Sequence, residues 1–186
     1  MKAALLVIDV QQSFVARPAF KPAGLGGFLA AQNHLVDLAR RAGLPLVRVL
    51  HQEPGDAANP FDPASGLVRP MDGLTAFDAV HTVRKTRHSA LVGTGLDVWL
   101  VEHGIGRVIV SGIRTEQCCE TTARHASDLG WRVSFVPEAT MTWDIGLDDG
   151  DVMKADEIRH RTSTVLHHRF ARVCDVTTAV THAHDD

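Results

Sequence analysis

Three side chains with complementary chemistry, Asp9, Lys85 and Cys118, each come after a short apolar run of the sequence. Asp9 directly follows the first run, Lys85 follows the third, and Cys118 comes shortly after the fourth. If the runs are parallel strands, their carboxyl ends border the crevice in which α/β proteins bind ligands. A carboxylate, an ammonium group and a thiol in one crevice would supply a general base, a cationic stabiliser and a nucleophile.

Cys118 is predicted to lie in the first turn of a helix over residues 115–129, with Thr115 as its N-cap. The free N–H groups and the helix dipole at that end favour thiolate over thiol, and the same N–H groups could bind an oxyanion. A small buried hydrophobe is an equally good interpretation of Cys118 from position alone.

Asp9 and Lys85 also have structural interpretations. A carboxylate at the end of an apolar strand needs a partner, so Asp9 could simply cap a neighbouring loop. Lys85 belongs to the basic stretch 84–88, which is typical of a solvated turn. The shared position of all three side chains at strand ends is what favours catalysis over these alternatives.

Apolar runs alternate with segments of helical periodicity along the chain, which predicts a three-layer α/β/α fold with a doubly wound, mainly parallel six-stranded sheet, Rossmann-like in outline. We expect one domain over residues 1–186, with residues 180–186 as a frayed tail and 53–75 as a long ordered loop. The predicted strands cover residues 3–8, 46–50, 80–83, 108–112, 133–136 and 171–173, and the predicted helices cover 28–42, 96–103, 115–129 and 155–168.

Composition excludes several classes of protein. The net charge of -3, without a basic run, argues against a nucleic-acid partner. No apolar stretch approaches the roughly 18 residues that span a membrane, so no membrane partner is expected. Three cysteines, two of them adjacent, indicate neither a disulfide framework nor a zinc site, and they predict a cytoplasmic protein. No Gly-rich fingerprint follows the first strand, so we expect no dinucleotide cofactor or any other.

Three segments resemble those of the isochorismatase-like cysteine hydrolases, a family that includes nicotinamidases and N-carbamoylsarcosine amidases. Residues 5–11 read LLVIDVQ, an apolar strand that ends in an acid. Residues 85–91 read KTRHSAL, which is similar to the family pattern KxxxSAF with Leu91 in place of Phe. Residues 112–122 read GIRTEQCCETT, which is similar to G[VI]xT[DE]xCVxxT. The likeness extends over nearly the whole chain.

The resemblance implies a role for each matching residue. Cys118 would attack a carbonyl carbon and form a thioester, Asp9 would accept the thiol proton, and Lys85 would stabilise the developing charge. A cis peptide bond would join Ile113 to Arg114, and the N–H groups of Arg114 and Cys118 would form the oxyanion hole. Family members form dimers or tetramers, so we expect a homo-oligomer. Residues that could bind the small-molecule substrate are Gln11, Phe14, His51, Phe61, Arg114 and Trp143.

Departures from the family narrow the expected activity. After His51 the chain lacks the Asp-x-His and the further loop His of metal-dependent nicotinamidases, so we expect no catalytic metal. Isochorismatases that cleave vinyl ethers lack the nucleophilic Cys, so Cys118 favours cleavage of a C–N bond in a small amide, carbamoyl or ureido compound. A vinyl ether hydrolase and a catalytically silent protein that binds a small ligand or senses oxidation remain alternatives.

Three further positions have more than one interpretation. Arg114 would either bind an anionic substrate or form a salt bridge inside the protein. Arg87 and His88 would belong to a solvated turn or to a subunit interface. Cys119 is predicted to be core packing, because it lies about 100° around the helix from Cys118.

Overall fold

Strand β1 (Lys2–Ile8) runs through the middle of a six-stranded sheet in the computed structural model, which describes residues 1–183. Its side chains alternate between two apolar clusters. Leu5 and Val7 pack on one face of the sheet, whereas Leu6 and Ile8 pack on the other. A strand that is buried on both faces requires a continuous apolar sequence, which explains why this run is uniformly apolar.

Strand β1 is joined in this sheet by β2 (Leu46–His51), β3 (His81–Lys85), β4 (Ile105–Ile113), β5 (Arg132–Met141) and β8 (Arg172–Val173). The strand order is β3-β2-β1-β4-β5-β8, and every neighbouring pair is parallel. Chain order reverses direction at β1, as expected for a doubly wound sheet. A separate antiparallel hairpin consists of β6 (Ile145–Gly146) and β7 (Val152–Met153).

Helices cover both faces of the sheet, and the predicted three-layer α/β/α fold is confirmed. Helices α2 (Leu25–Arg41) and α6 (Val176–Thr181) pack on one face. The opposite face is covered by α3 (Leu96–Glu102), α4 (Glu120–Asp128) and α5 (Ala155–Leu166). A short helix, α1 (Gln12–Val15), follows β1 directly.

Most predicted boundaries differ from the observed ones by a few residues, and three of the differences change the interpretation. The third strand is His81–Lys85 rather than 80–83, so Lys85 is part of the strand and not of the following turn. The predicted helix 115–129 begins with a π-helical turn, Thr115–Cys119, before α4. The C-terminal residues up to 183 are not frayed, because α6 continues to Thr181 and the side chain of Ala183 is buried. Residues 184–186 lie outside the described part of the chain.

The long loop between β2 and β3 is ordered by one buried carboxylate. Asp62 accepts hydrogen bonds from the backbone N–H groups of Gly55, Asp56 and Ala64. These bonds lower the pKa of Asp62 and hold the loop closed beside the carboxyl ends of the strands. No helix within residues 1–183 is both long and apolar enough to cross a membrane.

Candidate active site

Asp9, Lys85 and Cys118 meet at the carboxyl ends of four adjacent strands. Asp9 follows β1 with a left-handed backbone (φ 53°), Lys85 is the last residue of β3, and Cys118 lies in the π turn after β4. Because β3, β2, β1 and β4 are neighbours, their loops open at the same edge of the sheet. The topology therefore places the three side chains together, as the sequence predicted.

The Lys85 ammonium group contacts both other side chains. Its Nζ lies 2.7 Å from Asp9 Oδ2 and donates a hydrogen bond of 3.2 Å to Cys118 Sγ. The side chains of Asp9 and Lys85 are 0% exposed, and Cys118 is 5% exposed. The thiol of Cys118 is also hydrogen-bonded to the Asp9 side chain, so a proton can pass directly between these two groups.

The prediction that the helix terminus would make Cys118 a thiolate is wrong. Burial and the negative charge of Asp9 outweigh the attraction of Lys85 and raise the pKa of the Cys118 thiol to about 12. At neutral pH the sulfur therefore keeps its proton, and Asp9 is the adjacent group that could accept it.

For Lys85, in contrast to Cys118, the interactions with neighbouring groups outweigh the effect of burial on the pKa. Burial lowers the pKa of the Lys85 ammonium group, but the charge of Asp9 and the hydrogen bonds to Asp9 and Cys118 outweigh burial and raise this pKa above its ordinary value. Lys85 is therefore a permanent cation at the site and cannot serve as a general base.

The π turn differs from the predicted helix start in its cap. Thr115 does not cap the helix. Its hydroxyl donates to Thr140 Oγ1 at 2.9 Å, and the N-cap residue is Arg114, whose side chain makes no capping hydrogen bond. The carbonyl of Arg114 accepts hydrogen bonds from the N–H groups of Gln117 and Cys119. The peptide bond Ile113–Arg114 is cis, at the position that the resemblance implied.

His51, the last residue of β2, connects the site to the long loop. Its Nδ1 lies 3.4 Å from Lys85 Nζ, and its Nε2 lies 3.2 Å from Glu53 Oε1. Burial and the nearby charge of Lys85 lower the pKa of His51, which favours the neutral imidazole. Both ring nitrogens are thus engaged with neighbouring side chains.

Three predicted substrate-binding residues form one aromatic cluster. The ring of Phe14 lies edge-on to Phe61 at 4.9 Å and to Trp143 at 5.9 Å between centroids. Phe61 also contacts the His51 ring at 5.7 Å, so the cluster continues to the site. All three aromatic side chains are buried, and they form an aromatic wall beside His51.

Gln11 has a different role from the one predicted. Its side-chain amide accepts a hydrogen bond from the backbone N–H of His51 at 2.8 Å and donates to the His51 carbonyl at 2.9 Å. A further bond joins Gln11 Nε2 to Ser13 Oγ. Gln11 therefore ties the end of β2 to the segment after β1, and its amide is fully used within the protein.

Arg114 forms an ion pair inside the protein, one of its two predicted interpretations. Its Nε lies 3.0 Å from Glu116 Oε1, and its guanidinium stacks 4.2 Å from the Trp143 ring centroid. It also donates to Thr142 Oγ1 and to the carbonyl of Trp143. Burial lowers the pKa of Arg114, and Glu116 partly offsets this effect. These contacts fix Arg114 against the aromatic wall.

One residue at the site was not among the predicted site residues. His88, an exposed residue in the turn after β3, places Nδ1 3.8 Å from Cys118 Sγ. The sequence offered only its position three residues after Lys85. Cys119 is fully buried in the core, as predicted. Within residues 1–183, no group of three His, Cys, Asp or Glu side chains is arranged to hold a metal ion.

Comparisons with known proteins identify the family of this chain. The family model described as Isochorismatase domain matches residues 3–177. Nicotinamidase 3 of Arabidopsis thaliana is 34% identical over 166 residues, which cover 81% of this chain and 79% of that protein. Streptothricin hydrolase of Streptomyces noursei is 34% identical over 76% of this chain, but the match spans only 50% of that longer protein.

A solved structure shows the same fold. The crystal structure of an isochorismatase from Pseudomonas putida KT2440 superposes with a TM-score of 0.84 at 30% identity, and covers 95% of this chain and 89% of that one. The family model, the relatives and this superposition agree with one another. The chain belongs to the isochorismatase-like cysteine hydrolase family.

Proposed function

We propose that this hydrolase cleaves the C–N bond of a small amide, carbamoyl or ureido compound through a thioester on Cys118. The observation that carries the proposal is the position of Lys85, whose Nζ contacts Asp9 Oδ2 and Cys118 Sγ at 2.7 and 3.2 Å. One buried cation thus aligns a proton acceptor with a nucleophile.

In the first half-reaction, Asp9 accepts the Cys118 proton as the sulfur attacks the carbonyl carbon. Because the pKa of Cys118 is raised, the thiol loses its proton during the attack, and no thiolate needs to form beforehand. Asp9 then returns the proton to the departing amine, and the C–N bond breaks. Lys85 balances the negative charge that moves between the carboxylate and the sulfur.

The oxyanion that forms on the carbonyl would be held by backbone N–H groups. Arg114 precedes the π turn and Cys118 lies within it, at a helix end where N–H groups lack intrahelical partners. We assign these two N–H groups to the oxyanion hole. A missing donor of this kind typically lowers kcat by about 10²–10³-fold.

The type of bond is supported by chemistry and by the relatives. A sulfur nucleophile suits acyl transfer, whereas vinyl ether cleavage requires no thioester. One relative is named a nicotinamidase, and its name denotes hydrolysis of an amide. The aromatic wall of Phe14, Phe61 and Trp143 favours a compact substrate with an apolar face.

The test is a screen for ammonia release across simple amides, carbamoyl amines and ureido acids. The Cys118→Ala variant is expected to abolish turnover of any substrate found while the fold is retained. Cys174→Ala is the matched control, because that free cysteine follows the edge strand β8, which β5 separates from β4, and it is expected to keep activity. Turnover by Cys118→Ala above the solvent background would contradict the proposal. Cleavage of a vinyl ether without any ammonia release would favour the alternative activity.

A further inference from the structure

The Lys85 ammonium group has three N–H bonds, and the proposed mechanism uses only two of them. Its nitrogen lies 2.7 Å from Asp9 Oδ2 and 3.2 Å from Cys118 Sγ. Because the Lys85 side chain is 0% exposed, its third N–H needs an acceptor within the protein. His51 Nδ1, at the end of β2, lies 3.4 Å from the same nitrogen and can be that acceptor.

The two partners of the His51 ring determine its tautomer. An ammonium group can only donate, so Nδ1 must accept with its lone pair and the ring proton must lie on Nε2. Nε2 lies 3.2 Å from Glu53 Oε1, and this carboxylate can accept the N–H. The neutral His51 ring thus accepts from Lys85 at one nitrogen and donates to Glu53 at the other.

Glu53 is held in place and kept ionised by its own neighbours. Asn59 Nδ2 donates to Glu53 Oε2 at 2.8 Å, and Arg17 Nη2 lies 3.4 Å from Glu53 Oε1. The hydrogen bond from Asn59, with further contributions from His51 and Arg17, lowers the pKa of Glu53. A continuous chain of hydrogen bonds therefore runs from the long loop through His51 to Lys85.

We propose that His51 is a positioning residue, whose neutral ring orients the Lys85 ammonium group toward Asp9 and Cys118. The inference rests on the proposed function. A protonated ring would present an N–H in place of the lone pair, and it would carry a positive charge 3.4 Å from Lys85 Nζ. Protonation of His51 should therefore repel Lys85 and slow the reaction. This role differs from substrate binding, the role that the sequence suggested for His51.

The charged groups that face His51 set the pH at which this change occurs. Burial of the ring and the charge of Lys85 on β3 oppose protonation, whereas Asp9 after β1 and Glu53 in the long loop favour it. Burial and Lys85 prevail and lower the pKa of His51 from its ordinary value of 6.5. The ring is therefore neutral at pH 7, and it stops accepting from Lys85 as the pH falls through the pKa of His51.

The experiment measures the acylation of Cys118 by p-nitrophenyl acetate in the full chain, as the initial release of p-nitrophenolate. His51→Leu removes the acceptor and should lower the maximal acylation rate on the order of 10-fold, the effect of one hydrogen bond to a charged group. The half-saturating concentration should change little. His51→Gln should restore much of the rate, because its side-chain oxygen can accept the Lys85 N–H. His34→Leu, which changes an exposed histidine on α2, is the matched control and should leave both values unchanged.

The pH dependence separates positioning from a merely structural role. In the unaltered protein the acylation rate should fall on the acid side at the pKa that NMR titration of the His51 ring gives, and nitrogen NMR should show the Nε2–H tautomer. Glu53→Gln removes a charge that favours protonation of His51, so it should move the acid limb and the NMR titration to lower pH together. In His51→Gln the acid limb at this pH should be absent.

Three results would overturn the role of His51 alone: an unchanged acylation rate in His51→Leu, a raised half-saturating concentration at an unchanged maximal rate, or an acid limb that does not follow the NMR titration. Glu53→Gln keeps the test decisive if His51→Leu does not fold. In each case the loss of acylation in Cys118→Ala would still support the thioester. If the unaltered protein releases p-nitrophenolate no faster than Cys118→Ala, thioester chemistry itself fails and the role of His51 fails with it.

Discussion

Lys85 and Asp9 form a fully buried ion pair, with Nζ 2.7 Å from Oδ2 and neither side chain exposed to solvent. The pair joins the last residue of β3 to the residue after β1, across the intervening strand β2. It therefore has a structural effect as well as a chemical one. Removing one partner leaves the other charge buried and unpaired.

Lys85→Met should lower the free energy of unfolding by about 3–5 kcal/mol, because Asp9 then keeps an uncompensated charge in the interior. The double variant Asp9→Asn/Lys85→Met should recover much of this loss. Asn is chosen because it tolerates the left-handed backbone of Asp9 (φ 53°). Urea denaturation measures both variants. Equal losses in the single and double variants would contradict the argument. Neither variant should retain amide hydrolysis.

Cys118 should react slowly with iodoacetamide in the folded protein. Its pKa is raised to about 12 from 9.0, so little thiolate exists at pH 8, and the labelling rate should continue to rise well above pH 9. In denaturant the same cysteine should label faster at pH 8. Peptide mapping by mass spectrometry distinguishes Cys118 from Cys119 and Cys174. Fast labelling of folded Cys118 at pH 7 would contradict the direction of the shift.

The same shift predicts a loss of stability at alkaline pH. The folded state keeps the Cys118 proton to higher pH than the unfolded state does, so between about pH 9 and 12 the unfolded state binds fewer protons. The contribution of this thiol to stability is thus complete below pH 9 and decreases as pH rises through that window. We expect the unaltered protein to lose more unfolding free energy between pH 8 and pH 10 than Cys118→Ser does, because the variant lacks the thiol. A constant difference between the two proteins would contradict the prediction.

Gly112→Ala should destabilise the protein severely. Gly112 has φ +128°, and a Cβ there would collide with the carbonyl oxygen of Ile8, a backbone atom of the central strand. Gly130→Ala is the matched control, because Gly130 also has a positive φ (+96°) but a Cβ there meets no atom within 4 Å. The control should lose roughly 1–2 kcal/mol from backbone strain alone. Similar thermal midpoints for the two variants would show that the approach of β1 to β4 is not tight.

Glu120→Gln should cost about 2 kcal/mol of stability, because the buried carboxylate bonds three side chains. Its oxygens lie 2.8 Å from Arg124 Nη2, 2.6 Å from Arg161 Nη1 and 3.0 Å from Thr162 Oγ1, and so join α4 to α5. Asp156→Asn removes an exposed ion pair on α5 and should change stability by under about 1 kcal/mol. Calorimetry compares the two variants, and equal shifts would count against the buried network.

The sequence predicted most of the sheet because its central strands are buried on both faces. Residues such as Leu5 and Leu6 must then both be apolar, and the run is visible in one sequence. The proximity of Asp9, Lys85 and Cys118 could be predicted from the alternation of strands and helices and from the family motifs. This prediction used only the place of each residue at the end of a strand and no side-chain coordinates.

Properties that depend on distances between remote segments of the chain could not be predicted from the sequence. The pKa of Cys118 depends on depth of burial and on Asp9, whereas position alone suggested only the helix dipole. The contact of His88 with the sulfur depends on the path of a turn. The bonds of Gln11 to the backbone of His51 join segments 40 residues apart, and no local pattern indicates them.

The order of the strands also makes enzymatic activity a reporter of folding. The three side chains of the proposed catalytic site lie in β3 or shortly after β1 and β4, and β2 lies between β1 and β3. A partly folded chain that lacks any one of these four strands would separate the reacting groups. Parallel pairings of distant segments form slowly, since long loops must close first. During refolding, ammonia release should therefore reappear after the helical circular dichroism signal, when the last of the four central strands has joined the sheet.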